Sequence, residues 1–506
     1  MEEDSLPTFP PSTLPLLSLS PYHRKFCNPQ MMNRVFENTS SLFVAHLIGR
    51  LLSLVLTLLL MPRYFSEEEL GSYFLAMFIT NLIASVTELG MQAPLIREMT
   101  LHLQQARHFV GNALMIRLLL SVVAFGLMVG SGYLLGYPPF TLQLIQLLGL
   151  AEIFSSIAQL FRCVFRAFER MKYEAFTVVA ERLVIVLVGG WLILRGIGLA
   201  SFRIIVLIAS VLNLLLCVGI VLKKLTSLRF QFNLAIWRTL MCQAFPFAFG
   251  NIFNLIYFRI DTVLLSKLSP DGVAANAWYG LAYTIVNAFT ILPGAFMGAM
   301  FPVMSRAIVA DSLHESADDD FRPIYTYALR WMVLIGIPFT VGMATLSTEI
   351  SLTFFPTYGQ TTIAPALGLL SWSGGLIFLT TVIITVLRAA DKSRAFTFLM
   401  GTTALLNIGL NFILIPRFSH VGAAATMIIS EGYLFIAGFI YISRKISKPI
   451  QTGFVIKAIS VSALMWVGLM LLRHHLAIWL LIPLAIVFYF AGIAILGEIR
   501  WVKIQK

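Results

Sequence analysis

Apolar stretches of about twenty residues recur along this chain from Ser40 onward, each long enough as a helix to cross ~30 Å of hydrocarbon. They fall near 40–61, 71–95, 110–135, 139–161, 174–195, 199–222, 237–265, 272–302, 326–346, 360–387, 395–415, 421–443, 453–472 and 476–498. Turn residues part them, as in Gly136-Tyr-Pro-Pro, Ser269-Pro-Asp-Gly and Ser447-Lys-Pro. The pattern predicts an all-α integral membrane protein of about fourteen transmembrane helices.

The spans carry a repeat. Phe165-Arg-Ala-Phe-Glu-Arg-Met-Lys-Tyr-Glu-Ala-Phe-Thr is similar to Leu387-Arg-Ala-Ala-Asp-Lys-Ser-Arg-Ala-Phe-Thr, and Tyr73, Asn81 and Pro94 have counterparts at Tyr279, Asn287 and Pro302. Six helices separate each pair, so the expected repeat is parallel. It gives two six-helix pseudo-symmetric lobes, 38–225 and 226–446, then two C-terminal helices and a short cytoplasmic tail over 447–506. Such lobes enclose a central cavity at their interface.

Composition agrees with lipid as the solvent. The 506 residues are 58% hydrophobic and 12% charged, where a soluble chain carries roughly 25% charged residues. The net charge of +12 sits mostly in short loops, so it reads as a topology signal and an attraction to lipid headgroups; no nucleic acid is expected. With the N-terminus inside, most of the 36 lysines and arginines fall on one side, which places both termini in the cytoplasm. Residues 1–37 read as a disordered cytoplasmic tail, or as the product of a start assigned too far upstream. Cys27, Cys163, Cys217 and Cys242 are scattered with no CxxC pair, so they are expected to pack as small apolar residues.

Phosphate-loop, zinc-hydrolase and nucleophile-elbow motifs are missing, and neither a metal nor a cofactor is expected. The chemistry lies in polar residues inside the spans. His46, Arg50, Ser53 and Thr57 are spaced 4, 3 and 4, one stripe along the first helix that lipid cannot solvate. Asn81, Ser85, Glu88 and Gln92 make a similar stripe on the second. Either the two line a cavity or they form an interhelical network, with an Arg50–Glu88 pair. The seventh helix carries Asn251, Asn254, Arg259 and Asp261. Arg259 either converges with Arg50 on a polyanion, for which guanidinium groups supply bidentate donors, or snorkels to the outer interface. Asp261, Glu88, Glu152 and Glu431 are candidates for binding a coupling proton or sodium ion, or are structural. Tyr279, Tyr283 and Asn287 could stack on sugar or simply pack. Gly126-x-x-x-Gly130 and Gly294-x-x-x-Gly298 are close-packing motifs.

Several of these segments are similar to bacterial polysaccharide-biosynthesis flippases. They are Asn38-Thr-Ser-Ser-Leu-Phe-Val-Ala-His-Leu-Ile-Gly-Arg, Glu69-Leu-Gly-Ser-Tyr-Phe, Glu88-Leu-Gly-Met, Arg97-Glu, Tyr257-Phe-Arg-Ile-Asp-Thr-Val-Leu-Leu-Ser, Pro302-Val-Met-Ser-Arg, Leu387-Arg-Ala-Ala-Asp and Asn407-Ile-Gly-Leu-Asn-Phe-Ile-Leu-Ile-Pro-Arg. The chain resembles the Wzx-type branch of the superfamily that also holds multidrug/cation antiporters and lipid II flippases, over roughly 38–445. The resemblance implies a two-lobed transporter moving an undecaprenyl-diphosphate-linked oligosaccharide between leaflets by alternating access, working beside polysaccharide polymerase machinery. Cavity arginines would hold the diphosphate, with Arg50 and Arg259 in fitting positions. A drug/cation antiporter on the same fold is the alternative, and a membrane sugar polymerase or ligase a third reading.

Overall fold

The computed structural model describes residues 29–88, 90–225, 231–313, 321–356, 359–447 and 453–498, leaving out the side chains of 29–40, 243, 245–256, 258, 259 and 360. Among the described residues there are helices and no strands. Twelve helical stretches are long and apolar enough to cross a membrane. One of them, Ser393–Lys445, is two spans merged across Ser419, whose φ of 52° breaks the helix. The helix Leu234–Leu268 adds another. The fourteen spans read from hydropathy are therefore all helical, and the protein is a multi-pass membrane protein.

In chain order the spans are α1 (Ser41–Tyr64), α2 (Glu67–Leu101), α3 (Leu103–Leu134), α4 (Pro139–Ala167), α5 (Met171–Leu194), α6 (Leu199–Lys224), α7 (Leu234–Leu268), α8 (Ala274–Asp311), α9 (Phe321–Thr345), α10 (Thr361–Ala389), α11 (393–418), α12 (420–445), α13 (Gly453–Leu472) and α14 (Ile478–Ile495). The backbone of α1 is already helical from Pro29, so the helix begins inside the stretch predicted as tail; residues 1–28 of that tail lie outside the described residues.

The most buried of the spans are α4 and α10, each 61% inside the protein, and their neighbours correspond. α2, α3 and α6 pack around α4; α8, α9 and the α11–α12 pair pack around α10. α2 also crosses α8 and α7, joining the two groups. Two glycines let α2 and α8 approach closely. A Cβ on Gly280 would lie 2.8 Å from the ring of Phe74, and one on Gly71 would collide with the carbonyl oxygen of Val273. α13 packs on α9, and α14 on α13. Glu498, just beyond α14, is clamped by Arg330 of α9 (2.5 Å) and Lys457 of α13 (2.7 Å), which fixes the last two helices to the body.

Two features were not visible in the hydropathy pattern. α1 contains a π-turn at Val55–Leu60 and α5 another at Ile185–Gly189. They lie side by side, because a Cβ on Gly190 would approach Leu60 to 3.3 Å and Leu56 to 3.9 Å. Each inserts an extra residue per turn and rotates the downstream part of its helix relative to an ideal one. The glycine spacings, in contrast, are not packing seams. A Cβ on Gly126, Gly130, Gly294 or Gly298 would meet nothing within 4 Å, which corrects the close-packing expectation for both motifs. Cys163 and Cys217 are buried as expected, whereas Cys242 is exposed.

Candidate functional site

Packing of α1 against α5, with the start of the second half of α8 opposite, leaves a cavity of about 600 Å³. Its wall on α1 is His46, Gly49, Arg50 and Ser53. His46, Arg50 and Ser53 are three of the four residues that helical spacing aligned on one face, and Gly49 joins them there. Thr57 is not among them, because the π-turn starting at Val55 swings it off that face. The sequence stripe is thus correct up to Ser53 and ends there.

The polar chemistry of the cavity is cationic. Arg50 is half-buried and its Nη2 donates to the backbone carbonyl of Asn287 (2.5 Å) and approaches Thr290 Oγ1 (3.5 Å). That carbonyl lies in the last turn of the first half of α8 (Ala274–Phe289) and also accepts from Thr290 N (3.2 Å) and Thr290 Oγ1 (2.8 Å), so the guanidinium shares it with the turn that joins the two halves of α8. Arg50 thereby bridges α1 to α8. The Arg50–Glu88 pair considered from the sequence is absent; Glu88 instead accepts from Gln92 Nε2 (2.8 Å). Two further arginines missed by the sequence reading line the same cavity, Arg162 of α4 and Arg182 of α5. Arg162 is ion-paired with Glu181 (3.2 Å), which also accepts from Ser155 (3.1 Å) and Asn213 (3.0 Å). Their signal was their position: near helix ends they read as topology charges, while the α4–α5 arrangement turns them inward.

The remaining predicted site residues sit elsewhere. Asn81 donates to Glu152 Oε1 (2.9 Å), linking α2 to α4, and is not among the cavity-lining residues. Of the α2 stripe only Asn81 is bonded to another helix among the described residues; Ser85 donates to the carbonyl of Leu82 (2.6 Å) and Gln92 to Glu88, both within α2. Arg117 in the middle of α3 was also overlooked; it is fully buried and donates to the carbonyl of Ser156 on α4. Glu431 is buried on α12 and accepts from Tyr257 of α7 (2.9 Å) and Thr380 of α10 (2.9 Å). Asp261 is buried on α7 and accepts from Tyr279 of α8 and from the backbone of Thr262 (2.9 Å). Tyr279 itself is buried and stacked on Tyr283, so its ring is a packing element and not a sugar platform. The side chains of Asn251, Asn254 and Arg259 lie outside the described residues.

One end of the helix assembly is closed by polar contacts across the α2–α8 crossing. Trp278 Nε1 of α8 donates to Glu67 Oε2 at the start of α2 (2.8 Å). Tyr137, between α3 and α4, shares a hydrogen bond with Ser266 of α7 (2.8 Å). Lys267 donates to the carbonyl of Leu135, with its ammonium 4.1 Å from the Tyr137 ring centroid. Asp271 and Ser269 hold Ser419 at the α11–α12 turn (2.6 and 2.7 Å).

Known proteins share this architecture and parts of this sequence. The family model described as polysaccharide biosynthesis protein matches residues 35–308, more than half the chain, and the MatE model matches 246–413. The probable flippase AglR of Haloferax volcanii is 27% identical over 205 residues, 40% of each chain. The probable lipid II flippase MurJ of Haemophilus influenzae is 26% identical over 281 residues, 50% of this chain and 53% of that one. The match thus spans about half or less of the length of these two relatives. The capsular polysaccharide biosynthesis protein CapF of Staphylococcus aureus is 21% identical over 421 residues, covering 81% of this chain and 99% of that protein. Among solved structures, lipid II flippase MurJ in an inward closed conformation superimposes with a TM-score of 0.71 at 17% identity, over 92% of this chain and all of that one. At that identity the likeness concerns the fold.

Proposed function

The chain belongs to the polysaccharide biosynthesis protein family, and from that premise we propose that it flips a polyprenyl-diphosphate-linked oligosaccharide across the bacterial inner membrane for polysaccharide export. The observation that carries the reading is the sign of the cavity: three arginines face one glutamate, an excess of two positive charges. A diphosphate diester carries one negative charge on each phosphoryl group, and guanidinium groups recognise phosphoryl oxygens bidentately while remaining charged when partly desolvated. The names of the relatives support the same class of cargo.

The mechanism is rooted in where Arg50 is anchored. Two six-helix lobes, α1–α6 and α7–α12, alternate access to the cavity, with both termini cytoplasmic and the sealed α2–α8 end facing outward. Arg50 joins the lobes by holding a neutral carbonyl on α8. An arriving diphosphate offers a full negative charge in place of a partial one, so it takes the guanidinium from Asn287 and dissolves that link between the lobes. Binding energy is thereby spent on the conformational change. His46 and Ser53 meet sugar or water beside the diphosphate, and Arg259 supplies a further cation from α7. Asp261, Glu88, Glu152 and Glu431 serve as structural or ion-coupling carboxylates.

The test is charge reversal. Arg50→Glu in proteoliposomes abolishes translocation of a lipid-linked oligosaccharide while the protein inserts and folds; full activity of that variant would refute the reading. A multidrug/cation antiporter on the same fold, to which the MatE match points, needs an anionic cavity for its substrates, and the arginine excess disfavours it.

A further inference from the structure

The cavity arginines are not equivalent. Arg162 is held by Glu181, whose carboxylate is saturated by Arg162, Ser155 and Asn213. Arg50 is held by a backbone carbonyl. Arg182 is exposed to the cavity; it makes no ion pair or hydrogen bond at contact distance among the described residues, and its charge acts at longer range on Glu152 of α4. Its position is nevertheless defined. α1 and α5 cross at Gly49, where a Cβ would stand 3.3 Å from Cγ of Arg182 and 3.8 Å from Cγ1 of Val178. The aliphatic stem of Arg182 therefore lies over the glycine next in sequence to Arg50, and its guanidinium and that of Arg50 line the same cavity.

We propose that Arg182 is the second phosphoryl-binding arm of this cavity, that Gly49 is the notch that seats it beside Arg50, and that the pair selects diphosphate-linked over monophosphate-linked lipid carriers. The inference rests on the reading of the cavity as a phosphoryl site. Each arginine takes one phosphoryl group: Arg50 after leaving Asn287, Arg182 with no contact to break. A monophosphate carrier satisfies one arm and leaves the other uncompensated. An arginine without a hydrogen-bonded partner is usually just a solvated charge, but here the glycine opposite removes the side chain that would otherwise fill its place.

Binding of glucosyl-linked farnesyl diphosphate and glucosyl-linked farnesyl monophosphate, diesters carrying two and one negative charges, to the full chain in lipid nanodiscs, measured by calorimetry, tests this. Arg182→Gln is expected to weaken diphosphate binding about ten- to a hundredfold, the range of one charge-assisted hydrogen bond, and to leave monophosphate binding within about threefold. Arg182→Lys, which keeps the charge without the fork, recovers part of the loss. Gly49→Val keeps every charge and gives the same selective loss by displacing the Arg182 stem, and unchanged melting temperatures show that the fold persists. Wild-type diphosphate affinity in Arg182→Gln and Gly49→Val, with loss in Arg50→Gln, overturns the role of Arg182 and leaves the phosphoryl site standing. Equal losses for both probes also overturn it, since a general field would act on both. Wild-type affinity in Arg50→Gln as well overturns the phosphoryl site itself.

Discussion

Replacing Trp278 by phenylalanine keeps an aromatic ring at the α2–α8 crossing and deletes the donor that reaches Glu67 at 2.8 Å. Both residues are half-buried, so the lost contact is a hydrogen bond to a carboxylate with partial access to water. Such bonds contribute about 1.5–3 kcal/mol, and partial exposure favours the lower figure. At about 1.4 kcal/mol per tenfold, the ratio of closed to open conformers at this end should fall roughly tenfold. The other closures, Tyr137–Ser266, Lys267–Leu135 and Ser419–Asp271, persist, so the end loosens without coming apart. Double electron–electron resonance between spin labels at Glu68 and Thr361, in a background lacking the native cysteines, reads the change as a second, longer distance. Both sites are exposed. An unchanged distance distribution would refute the idea that this contact helps seal the end, and with it the assignment of the α2–α8 crossing as a gate.

Gly71→Ala drives a Cβ into the Val273 carbonyl and should cost about 1–3 kcal/mol as overpacking, seen as a lower melting temperature and the same longer distance in resonance experiments. Glu174 is 1% exposed and paired with Arg166 at 2.6 and 2.9 Å, so Glu174→Ala strands the guanidinium and should destabilise the protein by about 3 kcal/mol; thermal unfolding in detergent measures it. Glu498→Ala frees Arg330 and Lys457 together and should loosen α14, raising protease sensitivity of the C-terminal two helices while α1–α12 stay resistant.

How much of this was legible in the sequence depends on the physical signal involved. Every span was marked by twenty apolar residues, since backbone in lipid has few alternatives to a helix. Arg50 was visible because a lone charge in an apolar run is costly and must face something polar. Arg162 and Arg182 were hidden by their neighbourhood: close to basic loop clusters, they look like topology charges until packing shows which way they point. Asn81 was legible as a polar position but not as a partner of Glu152, because a stripe on one helix does not say which helix receives it. The Gly-x-x-x-Gly spacings misled for the same reason, since a small-residue face suits a tight contact but does not say that a helix is there to meet it.

The π-turn in α1 sets the angular phase between the two ends of that helix. Each residue of an α-helix advances the chain by about 100°, and a single added residue offsets everything beyond it by about that angle. Removing one residue from Val55–Leu60 would let ordinary i→i+4 bonding resume and turn the Arg50 face relative to Met61 and Pro62, which are buried. Composition, hydropathy and length would barely change, yet the guanidinium would point at a different neighbour. One-residue deletions and insertions along α1 should therefore act like a dial: changes between Arg50 and Met61 abolish transport, and a deletion repaired by an insertion within the same interval restores it.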